Sequence, residues 1–366
     1  MVTVLILIRC HINTLVIGFG IINLFIKRLK MSTNNKNLHK AKDAKKDEFY
    51  TQLSDIEKEL KHYREYFKNK VVYCNCDDPR VSNFFHYFSY NFEKLGLKKL
   101  ITTCYKKQDM NLFSQHDSEQ AIFLEYDGDK KGNKIPDPDD IGIKELKEDG
   151  DFRSKESIEL LKQADIVVTN PPFSLFREYV SQLVECEKKF LIIGNINAIS
   201  YKECFEQIKS NKMWLGYNTV RHFGRPDGSM YETARSFWYT NLDIAKRHED
   251  IILYKSYNEN KDAYPKYDNY DAINVNVTKH IPKDFEGYMG VPITFLNRHN
   301  PDQFEIIGLG ISSSGLEIGV EPYKDDHKKY RKEVQKRGAV DGDLYMMKDG
   351  EVKVPYARII IRNKRL

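Results

Sequence analysis

From about residue 70 to residue 217, short β-branched and aliphatic runs alternate with stretches in which apolar residues recur every three or four positions. Val71–Cys74, Lys99–Tyr105, Ala121–Tyr126, Asp165–Thr169, Phe190–Ile193 and Met213–Tyr217 read as strands, because β-branched and aromatic residues suit a pleated, buried position. Between them, Phe84, Phe88, Phe92 and Leu95 repeat at helical spacing, as do Ile158 with Leu161, and Leu175, Phe176, Tyr179, Val180, Leu183 and Val184. A further helix is predicted around Tyr201 to Ile208. Ser82 and Ser154 stand where helix N-caps are needed, and Gly96 where a helix must stop. An earlier helix carries Ile56, Leu60, Tyr63 and Phe67 on one side, and Ser54-Asp55-Ile56-Glu57 reads as its capping box. Strand and helix in regular alternation predict an α/β fold with a doubly wound, mostly parallel sheet. Beyond residue 218 the alternation breaks down, so we expect one domain over residues 31–217 and an additional C-terminal region over 218–366.

The amino terminus follows a different pattern. Val2–Ile8 and Ile12–Ile26 are almost uninterrupted apolar residues, followed by Lys27-Arg28-Leu29-Lys30. A membrane anchor needs about 20 apolar residues, and this stretch approaches that apart from Arg9 and His11. A secretory signal would need a small-residue cleavage site, which does not follow. The reading we adopt is translation from Met31, with residues 1–30 an in-frame product of A·T-rich upstream DNA; no membrane partner is then expected. Residues 31–47 are polar and Lys-rich, an arm without a core of its own.

Composition narrows the class only a little. A 41% hydrophobic and 12% aromatic content across 366 residues excludes disorder as the main state. Lys and Arg number 58 against 53 Asp and Glu, a net charge of +5 that permits a nucleic-acid partner without demanding one. Six scattered cysteines form no paired metal-binding spacing and point to a reducing, cytoplasmic compartment.

The candidate chemistry gathers at strand ends. Asp165–Thr169 runs into Asn170-Pro171-Pro172-Phe173, where two prolines forbid the strand from continuing and stiffen the corner. Open α/β sheets bind ligands beyond the carboxyl ends of their strands. A corner there offers the Asn170 amide oxygen, the Pro171 carbonyl and the Phe173 ring: two acceptors and a flat apolar face, suited to a planar base carrying an exocyclic amine. The same four residues also make an ordinary turn with a core Phe. After the first strand, Asn75-Cys76-Asp77-Asp78-Pro79 forms an acidic loop, which favours an ammonium-bearing ligand over a pyrophosphate, and which is equally an Asp-Pro turn. Basic residues stand among aromatics at Arg221–Pro226 and Arg235–Tyr239, and recur at Lys328–Lys332 and Arg362–Arg365, a mixture suited to phosphate contact and base stacking.

Lys46–Gln52, Cys74–Phe85, Gly150–Ser154, Ala164–Tyr179 and Trp238–Asp243 together resemble the EcoRI-type adenine-specific DNA methyltransferases, from about Met31 to the C-terminus. The resemblance implies a class I, Rossmann-like catalytic domain using S-adenosylmethionine to methylate N6 of an adenine flipped out of double-stranded DNA. It makes Asn170, Pro171, Pro172 and Phe173 the catalytic corner. Tyr50 and Thr51 would close over the methionine part of the cofactor, Asp77 and Asp78 would line it, Asp151 would accept from its adenine amine, and Phe152 would pack on that ring. It implies no metal, a target-recognition role for residues 218–366, and a cognate restriction endonuclease acting on the same site. Two departures stand out: the family's Gly-rich loop is missing after the first strand, and Thr102-Thr103-Cys104-Tyr105 offers no carboxylate for the cofactor ribose, leaving Asp127 or some other means to hold it. The same corner would also serve an RNA adenine or a protein glutamine amide, and a non-catalytic DNA-binding relative would keep the fold.

Overall fold

The computed structural model describes residues 50–76, 78–105, 121–129, 132, 136–224 and 229–366. The readings made above for residues 1–49, for Asp77 and for residues 225–226 lie outside the described residues. Nine strands build a large sheet: β1 (Tyr50–Thr51), β2 (Val71–Asn75), β3 (Lys99–Cys104), β4 (Ile122–Tyr126), β5 (Lys144–Glu145), β6 (Ile166–Thr169), β7 (Lys189–Asn195), β8 (Trp214–Gly224) and β9 (Met230–Thr240). Their spatial order is β1-β8-β9-β7-β6-β2-β3-β4-β5.

The four central strands, β7, β6, β2 and β3, are mutually parallel. On one flank β4 runs against β3 and β5 against β4; on the other β9 runs against β7, β8 against β9 and β1 against β8. The expectation of a mostly parallel sheet is therefore corrected to a mixed sheet with a parallel centre. Hydrophobic periodicity reports which residues are buried and carries no strand direction. Direction comes from the connections: β8 and β9 are joined through residues 225–229 alone, which is too short for a crossover and forces a hairpin.

Both faces of the sheet are covered. Helices α1 (Leu53–Leu60) and α2 (Asn83–Tyr90) lie on one face, and α3 (Lys155–Gln163), α4 (Phe176–Glu185) and α5 (Lys202–Lys209) on the other. Alternate residues of β2 show the division: Val72 and Cys74 pack with Leu60, Phe84 and Phe88, whereas Val71 and Tyr73 pack with Leu160, Tyr179 and Leu183. Ser82 and Ser154 cap α2 and α3 by accepting from Phe85 and Ser157 backbone N–H groups, and Gly96 takes the left-handed conformation at φ 62°. The expected capping box at Ser54 is not formed. Helix α1 begins at Leu53 directly after β1, with the Gln52 carbonyl accepting from Asp55 and Ile56.

Glu59 in α1 is fully buried, a costly place for a carboxylate unless its oxygens are satisfied. It accepts from the Tyr63 hydroxyl at 2.8 Å, the backbone N–H groups of Tyr217 and Asn218 at 2.8 and 2.7 Å, and the Asn218 amide at 2.9 Å. Those backbone donors come from a bulge in β8, between Leu215 and Thr219. The carboxylate thus ties α1 to β8 and sets the path of the strand that carries β1.

A second sheet is formed by β10 (Ala272–Asn274), β11 (Tyr288–Pro292), β12 (Phe304–Gly310) and, after the hairpin β13 (Met346–Lys348) and β14 (Glu351–Lys353), by β15 (Arg358–Asn363), in the order β10-β11-β15-β12. Helices α6 (Ser312–Glu317) and α7 (Asp325–Glu333) accompany it. Its apolar face continues the core beneath α4 and α5: Phe205, Ile208 and Met213 share one cluster with Ile273, Phe295, Ile306 and Ile359. The boundary expected at residues 217 and 218 falls inside β8, and Phe49–Leu366 forms one compact unit. Among the described residues no helix is long and apolar enough to cross a membrane.

His299 sits in the shared core beside Phe295, with its Nε2 3.0 Å from the Phe304 carbonyl. Burial drives its pKa down to about 4, against the opposing pull of that carbonyl. An unfolded histidine titrates near 6.5, so between these values the unfolded chain binds the extra proton. The contribution of His299 is therefore complete above about pH 6.5 and is lost as the pH falls toward 4, a difference on the order of 3 kcal/mol. Urea denaturation at pH 7.5 and 4.5 should show His299→Gln losing less stability on acidification than the unmodified chain; equal losses would remove His299 from the account.

Candidate functional site

In the order β7-β6-β2-β3 the chain passes from β2 outward to β3 on one side, and from β6 outward to β7 on the other. The reversal lies between β2 and β6, and a ligand crevice is expected at the carboxyl ends of that pair. Backbone pairing between them is recorded at Val72 with Ile166 and Tyr73 with Val167. Beyond it the strand ends are joined through side chains: the Thr169 hydroxyl donates to the Asn75 carbonyl, and the Tyr179 hydroxyl of α4 donates to Asn75 Oδ1. At the opposite end of the pair, the Val71 N–H donates to Asp165 Oδ2 at 2.8 Å. The register of β6 on β2 is thus held from both sides.

Asn170 and Pro171 leave β6 buried, while Pro172 and Phe173 are half-buried. Pro172 is extended, at φ −54° and ψ 127°, and its carbonyl accepts from Leu175 to close one tight turn before α4 begins at Phe176. Gly194 of β7 allows that start: a Cβ there would lie 2.5 Å from the Phe176 ring. The Phe173 ring meets Phe223 edge-to-face at 6.0 Å between centroids, and Phe223 pairs in β8 opposite Thr51. Thr51 is also tied to the start of α2, through Asn83 Nδ2 to its carbonyl at 2.8 Å. Tyr50 lies beside it in β1, opposite Gly224. So the Tyr50–Thr51 strand, the Asn170–Phe173 corner and the loop entering α2 meet at one edge of the sheet.

The Gly150–Phe152 segment reaches the same edge. Gly150 has φ +77°, and a Cβ on it would lie 2.4 Å from the Cys104 carbonyl at the end of β3, so only glycine fits. Phe152 is buried against Tyr179 at 5.0 Å, its carbonyl accepts from Gln182 at 2.9 Å, and Arg153 lies over its ring at 5.2 Å. Tyr179 accordingly touches both the β2 end and the Asp151 loop.

Each described carboxylate of the site is engaged by an arginine two residues on. Asp78 is buried and receives the Arg80 backbone N–H at 2.9 Å and its guanidinium Nη2 at 2.5 Å. Asp151 receives the Arg153 backbone N–H at 2.8 Å and guanidinium at 2.7 Å, with Arg153 reaching on to Glu178 at 2.8 Å. Burial alone would raise the Asp151 pKa, but the hydrogen bonds and charge of Arg153 prevail and hold the carboxyl below its ordinary range. Asp78 and Asp151 are therefore oriented acceptors, each with its charge countered by a neighbouring arginine. Cys76, just after β2, takes a positive φ of 85°, a conformation usually left to glycine, at the place where the Gly-rich loop is missing.

Other expected members do not assemble. Asp77 lies outside the described residues. Asp127 follows Tyr126, which pairs with Leu100 at the start of β3, so it lies at the edge of the sheet opposite Asn170 and cannot take the place of the ribose carboxylate. The aromatics read as stacking platforms, Phe223, Phe237, Trp238 and Tyr239, are core residues of β8 and β9. Of the basic tail, Arg362 pairs with Glu305 at 2.5 Å and Arg365 with Asp250 at 2.6 Å. Asn83 and Tyr179 join the site without having been singled out for it, and Asn75 and Phe223 join it in roles other than those expected of them. Tyr179 left a trace, a hydroxyl within an otherwise apolar helical face.

Removing that hydroxyl should be costly. Tyr179→Phe leaves Asn75 Oδ1 short of its buried donor, and guanidinium denaturation should show a loss of about 1–3 kcal/mol. A change within 0.5 kcal/mol, roughly the scatter of neutral surface substitutions, would mean that the strand ends do not depend on it.

Comparison with known proteins shows the family. The family described as "Adenine-specific methyltransferase EcoRI" matches residues 37–364. Type II methyltransferase M.EcoRI of Escherichia coli is 48% identical over 354 residues, spanning 92% of this chain and 98% of that protein. Type II methyltransferases M.MgeORF184P of Mycoplasma genitalium and M.MpnI of Mycoplasma pneumoniae are 41% and 39% identical, covering 85% and 84% of their own lengths. No solved structure matches the chain significantly. With a match over almost its whole length, on a sheet whose switch point carries the Asn-Pro-Pro-Phe corner, the chain belongs to the EcoRI family of adenine-specific methyltransferases.

Proposed function

We propose that this enzyme transfers a methyl group from S-adenosylmethionine to N6 of an adenine flipped out of double-stranded DNA, with the acceptor at Asn170–Phe173 and the donor between that corner, Thr51 and the Asp151–Phe152 loop. The observation that carries the reading is the meeting of these segments at the switch point of the sheet. The residues present suit the donor. Thr51 Oγ1 is buried with no hydrogen-bond partner among the described residues, an atom a polar ligand would satisfy. Asp151 is held ionised and retains acceptor capacity beyond its Arg153 bonds, and Phe152 offers an apolar ring beside it.

When bound, the sulfonium of S-adenosylmethionine supplies a labile methyl group. The protein's task is on the acceptor side, because the lone pair of an adenine amine is delocalised into its ring. Asn170 Oδ1 and the Pro171 carbonyl would accept the two amine hydrogens and draw the nitrogen toward tetrahedral geometry, localising the lone pair for in-line attack. Positioning of this kind needs no strong base. Phe173, braced edge-on by Phe223, would stack on the flipped base and offset the few kcal/mol needed to unstack it. Residues 218–366 would supply target recognition, a cognate restriction endonuclease would share the site, and the enzyme would act in the cytoplasm.

Purified protein, labelled S-adenosylmethionine and mixed-sequence duplex DNA should yield N6-methyladenine; transfer only to RNA or to protein would overturn the assignment. Asn170→Ala should lower the transfer rate by about a thousandfold while equilibrium binding of duplex and cofactor persists. Undiminished turnover by that variant would reject Asn170 as the acceptor-binding group.

A further inference from the structure

Away from the crevice, the end of α7, the β13–β14 hairpin and the adjoining ends of β10 and β15 enclose a cleft of about 590 Å³. Gln335 Nε2 donates to the Val352 carbonyl at 3.0 Å and holds helix to hairpin. Arg331, Arg337, Lys348, Lys353 and Arg358 line the cleft, and among its described lining residues Glu351 is the one carboxylate, already paired with Lys353. The cleft therefore concentrates positive charge on a chain whose total excess is small.

Arg358 at its floor is nine-tenths buried. Its guanidinium meets only neutral acceptors: Asn274 Oδ1 at 3.1 Å, the Tyr356 carbonyl at 3.0 Å and Asn276 Oδ1 at 3.4 Å. No carboxylate among the described residues pairs with this guanidinium, and Arg358 forms part of the cleft lining. A buried cation without a carboxylate is costly, and an anion entering from outside would relieve it. Planar guanidinium donors suit phosphate oxygens, and Arg331 likewise spends its donors on the neutral Gly338 carbonyl and Gln335 side chain.

A hydrogen bond links the chain beside the cleft to the sheet that carries the site. Tyr356, two residues before Arg358, donates to Asn197 Oδ1 at 3.1 Å. Asn197 lies just beyond the carboxyl end of β7, the strand next to the one that delivers Asn170. The cleft is open, and its cations come from α7 and the segment after it, from the β13–β14 hairpin and from β15, which suits a row of charges better than one small ion.

We propose that this cleft grips the phosphate backbone of the DNA duplex whose adenine enters the Asn170 corner, with Arg358 as its buried anchor and Arg337 and Lys348 as outer contacts. The inference rests on duplex DNA being the substrate. It is tested by fluorescence anisotropy of labelled duplexes over a salt series, with Arg337→Ala, Lys348→Ala and Arg358→Gln. Lys94→Ala, exposed at the opposite edge of the sheet, serves as the control. Each outer substitution should weaken binding by about three- to tenfold, equally for methylated-site and unrelated sequences. Each should also reduce the slope of log K against log salt by about one, as one released counterion requires. Arg358→Gln should weaken binding further; should it not fold, the two outer variants decide. Unchanged slopes, an equal loss from Lys94→Ala, or saturable inorganic phosphate binding that leaves duplex affinity untouched would overturn the proposal. Absence of methyl transfer to duplex DNA by the unmodified enzyme would instead reject the substrate reading on which it rests.

Discussion

The joint between the ends of β2 and β6 is the constraint on which the rest of the site depends. Two parallel strands at a switch point have no crossover on their shared side to cover them, so something other than a connecting helix must hold their ends. Here Thr169 reaches the Asn75 carbonyl and Tyr179 reaches the Asn75 amide, while Asp165 fixes the far end of the pair. A register slip of one residue would turn every side chain of β6 to the opposite face and carry Asn170 with it. With the register held, the two prolines add stiffness at the one place where the chain must leave the sheet without losing its aim.

The site is bordered by a local device used twice. At Asp78-Pro79-Arg80 and at Asp151-Phe152-Arg153, the carboxylate accepts from the backbone N–H two residues on, and the side chain of that same arginine folds back on it. Each carboxylate is oriented and has a guanidinium laid against it, and at Asp151 that arginine holds the carboxyl below its ordinary range. That balance suits the proposed pairing of a cationic donor with a polyanionic substrate. The Arg153 guanidinium does further duty, lying over the Phe152 ring and reaching Glu178 on α4.

The second sheet acts as an extension of the same core. Its inner face buries Ile273, Ile306 and Ile359 against α5 and β8, and Tyr356 joins its rim to the turn after β7. A second sheet that shares its core with the first in this way can move little with respect to the Asn170 corner. Rigid support of that kind suits positioning chemistry, in which a misplacement of about 1 Å can cost about a hundredfold in rate.

Much of this was legible in the sequence because it is local. Strands and helices between residues 71 and 217 follow from periodicity, the Ser82 and Ser154 caps from side-chain type, and the rigidity of Asn170–Phe173 from proline geometry. The family resemblance, too, was carried by short contiguous strings. What the sequence left undecided depends on residues far apart in the chain. Apolar alternation cannot distinguish a parallel strand from an antiparallel one, so β4 and β8 were misplaced in direction, and β9 was not read as a strand at all. Basic and aromatic residues in one string look like a nucleic-acid surface until strand geometry sends Phe237 and Tyr239 inward. Above all, only folding brings Asn75, Thr169 and Tyr179 together: the sequence determined that a stiff corner would end a strand, and the tertiary structure decided what that corner would face.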